Sequence, residues 1–204
     1  MLDHIFTDAI GALRDTLEQA LLERQALEER FQSDILLGDL TWETSYGLPG
    51  EGLPPRVRAD ITLDWPTWSQ SAYRSWYIND DVDDLDDAPH IDIEIVVRIQ
   101  RLAHLPTPQM FLATLPLEGP AVGRDQLERS GPTIEAIYSD DLSEVSHAIE
   151  VSYSGMYELD EAVLEDGSVL DTHFGAMGGW IASTLVRIGD LKFEFLPAEE
   201  EDVQ

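Results

Sequence analysis

The chain has 204 residues and a mass of 22.9 kDa, contains no cysteine, and sets 41 Asp and Glu against 12 Lys and Arg, for a formal net charge of -29. The lack of cysteine excludes disulfides, thiolate metal sites and cysteine nucleophiles, and the charge argues against direct binding to DNA or RNA. Because 43% of the residues are apolar, we expect a folded core rather than a disordered acidic chain.

The shortage of basic residues indicates the solvent in which the protein works. Lys192 is the only lysine, and the acidic residues are spread along nearly the whole chain. So much like charge resists compaction at low salt, whereas the screening length falls from about 10 Å at 0.1 M salt to about 3 Å at 1 M. We therefore interpret the composition as adaptation to high salt. The alternatives are an ordinary acidic protein from a GC-rich genome and an acidic mimic of nucleic acid, which would need its acids in a duplex-like array.

The N-terminal third begins with a helical pattern. Residues 3–32 are predicted to form one long amphipathic helix, because apolar residues recur mostly three and four positions apart: Phe6, Ile10, Leu13, Leu17, Leu21, Leu27 and Phe31. Such a stripe packs on the sheet of its own domain or against a neighbouring subunit.

The middle of the chain carries strand patterns. Alternating apolar and polar residues predict half-buried strands over residues 40–46, 57–65, 91–99, 134–138 and 147–157. Residues 67–78 fit either a returning strand or a helical turn, and we favour the strand. Residues 110–115 are predicted as a further strand, and residues 116–132, rich in Pro and Gly, as a loop.

The C-terminal part returns to helix. Apolar residues at helical spacing predict a helix over 170–188, ended by Gly189, then a short strand over 192–196 and an acidic tail over 199–204. Clean alternation over several strands is typical of an antiparallel sheet with one wet face. The predicted fold is therefore a single α+β domain, residues 1–198, in which a long N-terminal and a C-terminal helix pack on an antiparallel sheet.

The acidic run over residues 79–87 is the one candidate for a cation site. An EF-hand loop needs oxygen ligands at positions 1, 3 and 5, Gly at 6 and Glu at 12. Asn79, Asp81 and Asp83 fit the first three positions, but Asp84 stands in place of the Gly and His90 in place of the Glu. We interpret the run as a solvated loop with diffuse counter-ions, with a weak cation site of another kind as the alternative.

No catalytic constellation accompanies these acids. The five histidines have no zinc-ligand spacing, and the sequence holds no nucleophile elbow, P-loop or dinucleotide fingerprint. His90 and Asp92 share a strand face, but one residue in five is acidic, so such pairs arise by chance. The sequence predicts a protein that is not an enzyme, with no catalytic residue, no cofactor and no metal site.

The candidates for a protein interface are aromatic residues and small residues. Trp65 continues an apolar strand face and is predicted to lie in the core. The neighbouring segment 67–78 can project large amphipathic aromatics onto a partner, namely Trp68, Tyr73, Trp76 and Tyr77. Gly175 and Gly179 form a Gly-x-x-x-Gly stripe on a predicted helix, which allows either close packing within the chain or a contact between subunits.

The order of elements resembles that of the tail-terminator and neck proteins of tailed viruses. These proteins also have an N-terminal helix, a β-sheet and a second helix, and the resemblance covers most of the chain without a shared motif. It implies a homo-oligomeric ring with neighbouring assembly proteins as partners, contacted through residues 47–55 and 116–132. Together with the acidic composition, it implies a virus of a halophilic, haloarchaeal host.

Three functional hypotheses follow, in order of preference. The first is a non-enzymatic structural protein that assembles in high salt, as a tail-terminator, neck or tail-completion component. The second is a soluble acidic binding protein, such as a chaperone, immunity protein or nucleic-acid mimic, acting on a basic partner. The third is an enzyme that uses scattered carboxylates.

The expected location is a virion or the cytoplasm of a high-salt organism. Residues 1–10 lack the basic region of a secretory signal. The longest apolar stretch, residues 174–186, is too short to span a membrane, so we expect no membrane partner.

Overall fold

The computed structural model describes residues 2–21, 27–36, 38–48, 54–78, 88–139, 144–160, 163 and 166–197, with the backbone alone for residues 2–3, 27–36 and 76–78. The elements follow one another in the order α1 (Leu2–Leu21), β1 (Leu27–Leu36), β2 (Asp39–Gly47), β3 (Val57–Trp65), α2 (Thr67–Ile78), β4 (His90–Leu102), α3 (Pro108–Leu112), β5 (Glu118–Val122), β6 (Asp125–Arg129), β7 (Thr133–Tyr138), β8 (Val145–Glu158) and α4 (Ser168–Gly189).

The strands form one antiparallel sheet in the order β1-β2-β3-β4-β8-β6-β5. β7 also pairs with β8. Since β6 lies opposite residues 153–154 of β8 and β7 opposite residues 145–150, these two strands run end to end along one side of β8. The predicted α+β fold with an antiparallel sheet is confirmed, as are the predicted strands over 40–46, 57–65, 91–99, 134–138 and 147–157.

Alternation along the strands separates two faces of the sheet. In β3 and β4, odd-numbered residues such as Ile61 and Ile95 are buried. Even-numbered residues up to Arg98, such as Thr62 and Glu94, stay partly or fully exposed. Burying one apolar face while leaving the polar face wet is the usual solution for an antiparallel sheet. We call the buried side the inner face.

Helices α1 and α4 pack side by side over the inner face. Phe6 of α1 approaches Trp65 of β3, with ring centroids 6.2 Å apart. On α4, Phe174 and Trp180 meet the rings of Tyr157 and Tyr153 of β8 at 5.0 and 4.8 Å. The helices and the sheet thus share one hydrophobic core, whose burial is the main stabilising term.

The two helices approach closely at a glycine. A Cβ at Gly178 of α4 would lie 2.7 Å from the carbonyl oxygen of Leu13 and 3.2 Å from Cβ of Thr16, both on α1. Only a residue without a side chain fits such a separation. This contact fixes how α1 and α4 lie against each other.

The predicted helix over residues 3–32 is wrong from residue 27 onward, where the chain forms a strand. α1 ends at Leu21, and β1 pairs with β2 from Leu27 to Leu36. The apolar residues Phe31 and Ile35, which follow the bulge between Glu28 and Arg30, are four positions apart, and four is close to a helical period but is also an even number. The same spacing therefore suits one face of a strand, and the backbone hydrogen bonds offered by β2 decide between the two.

The predicted strand over residues 67–78 is also wrong, because this segment is helix α2. A carboxylate from a distant strand supports its first turn: Oδ1 of Asp39 accepts hydrogen bonds from the backbone N–H and the hydroxyl of Thr67, at 2.6 and 2.7 Å. These bonds lower the pKa of Asp39. A free N–H at a helix start needs such an acceptor, and here only tertiary structure provides it.

Three shorter predictions need correction. Residues 110–115 are not a strand: α3 runs from Pro108 to Leu112, with Pro at a favoured first-turn position. Residues 116–132 are not a loop but contain the β5–β6 hairpin, turned by Gly123 at φ +68°, as two-residue hairpin loops require. The predicted strand over 192–196 is reduced to a single bridge between Leu102 and Phe195. The acidic tail, 199–204, lies outside the described residues.

Candidate functional site

The most extensive functional candidate is the polar side of the sheet, opposite the inner face. We call it the open face; β2, β3, β4 and β8 contribute Thr41, Glu43, Ser45, Arg58, Asp60, Thr62, Asp64, Asp92, Glu94, Val96, Arg98, Glu150, Ser152, Ser154 and Met156, all at least partly exposed. It bears two open depressions, one around Asp92 and one around Asp60. Carboxylates and hydroxyls dominate it.

One half of the open face concentrates negative charge. Asp64 of β3 lies directly opposite Asp92 of β4, a cross-strand arrangement of like charges that is unfavourable in itself. Two neighbours approach these carboxylates. The hydroxyl of Thr41 donates to Oδ1 of Asp64 at 2.5 Å, and Nε2 of His90 lies 3.4 Å from Oδ1 of Asp92.

The other half of the open face carries arginines that are already paired. Arg98 donates to Glu150 and Glu135, each at 2.6 Å. Partial burial lowers the pKa of Arg98, but the hydrogen bonds and charges of the two carboxylates outweigh burial and raise it. Nε of Arg58 lies 3.1 Å from Oδ2 of Asp60. Because each of these arginines is paired with a carboxylate, this half carries less net negative charge than the acidic half.

Trp68 lies beside the acidic half. Its ring meets the His90 ring edge-on, with centroids 5.0 Å apart, and it is 46% exposed. Met156, opposite Asp92 in the sheet, is 45% exposed. A large amphipathic ring supported on one side and free on the other is typical of protein contact surfaces.

The other predicted interface aromatics do not join Trp68 in a described surface. Tyr73 is buried, with its ring edge-on to Trp65 at 6.0 Å, so it belongs to the core and not to an outer surface. Trp76 and Tyr77 lie in the last turn of α2, and their side chains are outside the described residues. Trp65 is buried, as predicted.

The Gly-x-x-x-Gly stripe packs within the chain. Cβ atoms added at Gly175 and Gly179 would lie 3.2 and 3.9 Å from side-chain atoms of Thr16 on α1. Of the two alternatives left open by the sequence, the structure shows close packing inside the chain. It places neither glycine on a surface that is free of α1.

Sequence reasoning missed a second exposed apolar group, around β7. All six residues of β7 are exposed, and the group consists of Ile134, Ile137 and Tyr138, with Val145 at the start of β8. A signal was present: Ile134 and Ile137 differ by an odd number of positions, so β7 is apolar on both faces. A strand with only one buried face should be polar on the other.

The titratable groups of the described residues form no recognisable catalytic arrangement. Tyr157 shares a 3.0 Å hydrogen bond with Nδ1 of His173, and burial together with the charge of Asp160 raises the pKa of Tyr157 to about 12, so the phenol stays protonated. Within the described ranges no three His, Asp or Glu side chains gather as a metal site. The acidic run 79–87 lies outside those ranges.

None of the helices in the described part of the chain is long and apolar enough to cross a bilayer. Comparison with known proteins gives no relative: no protein-family model, no curated protein and no solved structure matches the chain.

Proposed function

We propose that the protein is a non-enzymatic structural subunit that assembles in high salt with copies of itself and with neighbouring proteins, as a tail-terminator, neck or tail-completion component of a virus of a halophilic host. The observation that supports the proposal most directly is where apolar side chains are exposed. In the described residues the exposed large apolar side chains are Trp68, Leu105, Met110, Leu117, Ile134, Ile137, Tyr138, Val145 and Met156.

Every one of these side chains belongs to the sheet, α2, α3 or their connections. The described side chains of α1 and α4, by contrast, expose no large apolar residue. Clustered apolar exposure marks contact surfaces on otherwise polar proteins. The exposed apolar side chains thus lie in the sheet layer and its connections, and not on the described surface of the two covering helices.

The charge determines when such contacts form. Two copies of a chain with net charge -29 repel each other, and this repulsion is screened over about 3 Å at 1 M salt. Assembly should therefore strengthen as salt rises. This is the opposite of what is expected when a basic partner is held by charge.

The test is light scattering behind size exclusion, with circular dichroism on the same samples, from about 0.1 to 3 M KCl. We expect a folded protein whose mass rises with salt and with protein concentration. Trp68→Ala should reduce association because it removes an exposed aromatic ring, whereas Thr62→Ala, a change in a polar side chain of the open face, should not. A folded monomer at every salt concentration would contradict the proposal.

A second function, binding of a basic partner, is favoured by the carboxylates that the open face gathers: Glu43, Asp60, Asp64, Asp92 and Glu94. A polylysine peptide is the probe. Binding at low salt that is weakened by Asp92→Asn with Glu94→Gln, but not by Asp8→Asn with Asp15→Asn on α1, would support this function. Equal weakening by both pairs would show only diffuse attraction to charge.

A further inference from the structure

We infer that β7 is the strand through which two copies of this chain pair, edge to edge and antiparallel, into one continuous sheet. The inference rests on the proposed function and identifies the segment that performs the first contact. β7 pairs with β8 on one side. On its other side no strand lies in the part of the chain that the structure describes.

The open edges of the sheet are not equally protected. Natural sheets block edge-to-edge association with charges, proline, shortness or covering elements. β1 carries Glu28, Glu29, Arg30 and Asp34. β5 has only five residues, includes Pro120 and contacts α4. These two edges therefore carry the usual protection.

β7 is also short, with six residues, but it is the least protected of these edges. Its sequence is Thr-Ile-Glu-Ala-Ile-Tyr, without proline and rich in residues that favour strands. Its one charged residue, Glu135, is tied to Arg98 at 2.6 Å. That carboxylate faces back along the open face toward β4 and so does not guard the outer edge. An exposed and largely apolar edge strand is a template for another strand.

The sequence of β7 suits pairing with itself. In an antiparallel pair, residues that lie opposite each other point to the same face, so a two-fold axis passes between copies of one residue. An axis at Ala136 places Ile134 opposite Tyr138 of the second copy and Glu135 opposite Ile137 of the second copy. An axis at Glu135 would instead bring two carboxylates together, which is unfavourable.

Pairing around Ala136 has two consequences. Because this axis is perpendicular to the sheet, the helix layers of both copies lie on the same side and the open faces join. A contact through one short strand is smaller than the roughly 1,200–2,000 Å² of a stable interface. We therefore expect a dimer that depends on concentration and on high salt, and that other contacts would reinforce in a larger assembly.

The test uses the absence of cysteine from the chain. Opposed residues on antiparallel strands have Cα atoms about 4.5 or 5.5 Å apart, within the range that a disulfide spans. Ala136→Cys should therefore form a disulfide-linked dimer under mild oxidation in about 3 M KCl. Ala121→Cys is the matched control, because Ala121 is also an exposed alanine on an edge strand, β5; it should remain monomeric.

A second pair of variants measures association without cross-linking. Ala136→Glu places two carboxylates opposite each other at the axis and should raise the dimer dissociation constant about tenfold or more. Ala121→Glu should leave it unchanged. Circular dichroism verifies that each variant is folded.

The outcomes separate this inference from the proposed function. If the unmodified chain associates in high salt but Ala136→Cys does not cross-link, β7 pairing is wrong and assembly stands. Equal cross-linking of both cysteine variants indicates random collision and likewise overturns β7 pairing. An unmodified chain that stays monomeric throughout contradicts the proposed function itself.

Discussion

The inner and open faces of β3 and β4 come from alternate residues of the same strands, yet they have different roles. On the inner face Ile61 and Ile95 lie opposite each other and are at most 1% exposed. One residue away, Thr62 and Glu94 lie opposite each other on the open face and stay partly or fully exposed. Stability is concentrated on the first face, and the surface available to partners on the second.

This separation means that neighbouring substitutions should have unlike effects. Changes on the inner face remove packing that the whole domain shares, whereas changes on the open face alter charge and contacts at little cost to folding. The open face is also where the chain accepts unfavourable features, such as Asp64 opposite Asp92. Such features persist when the solvent screens them or when function requires them.

The largest expected effect tests this comparison at two adjacent residues. Ile95→Ala removes a side chain packed between Ile61 and Tyr153 on the neighbouring strands, and should lower the free energy of unfolding by about 2–5 kcal/mol. Glu94→Ala, the matched control, should change it by less than about 0.5 kcal/mol. Urea unfolding at a fixed KCl concentration measures both. Similar losses for the two variants would mean that the faces are not separated in this way.

The next effect concerns the helix layer that covers the inner face. Gly178→Ala forces α1 and α4 apart and should cost about 1–3 kcal/mol. Gly11→Ala is the matched control, because a Cβ at Gly11 meets nothing within 4 Å; it should stabilise helix α1 by about 0.5–1 kcal/mol. Thermal or urea unfolding of both variants tests whether the two substitutions change stability in opposite directions. Stabilisation by both would disprove the close approach of the helices.

A pH dependence tests burial at the end of the inner face. The pKa of Tyr157 is raised from 10.0 to about 12, so the folded state keeps a proton that the unfolded state releases. Stability is fully present below about pH 10 and is lost as pH rises toward about 12. Tyr157→Phe should reduce this loss of unfolding free energy. Tyr138→Phe, at an exposed position, should leave the loss unchanged. The same pH dependence of the unfolding free energy in both variants and the unmodified chain would contradict the assignment of this loss to Tyr157.

The smallest expected effect lies on the open face. Asp64→Asn removes the like-charge pair with Asp92 while keeping an oxygen that accepts the Thr41 hydrogen bond. It should stabilise the protein by about 0.2–1 kcal/mol at low salt, and by less near 1 M salt. Asp125→Asn, opposite Val122, should have no comparable salt-dependent effect. Unfolding by urea at two KCl concentrations makes the comparison.

The sequence predicted the fold wherever one period was unambiguous. Strict alternation identified β3 and β4, and a long helical stripe identified α4. The predictions were wrong where a spacing suits two structures, as from Phe31 to Ile35, or where a remote group decides, as Asp39 does at the start of α2. Of the candidate site, Trp68 was predicted as an interface aromatic and its side chain is exposed, whereas the exposure of β7 was missed.

What the sequence determined by itself was therefore composition and local periodicity: the strong negative charge, the lack of cysteine, the α+β class and the strands with one apolar face. Tertiary structure alone decided the strand order, the helix at 67–78, the burial of Tyr73 and which edge of the sheet is left unprotected. The reason is physical. A period depends on neighbours along the chain, whereas pairing, capping and exposure depend on groups that are distant in sequence and meet only in the folded state.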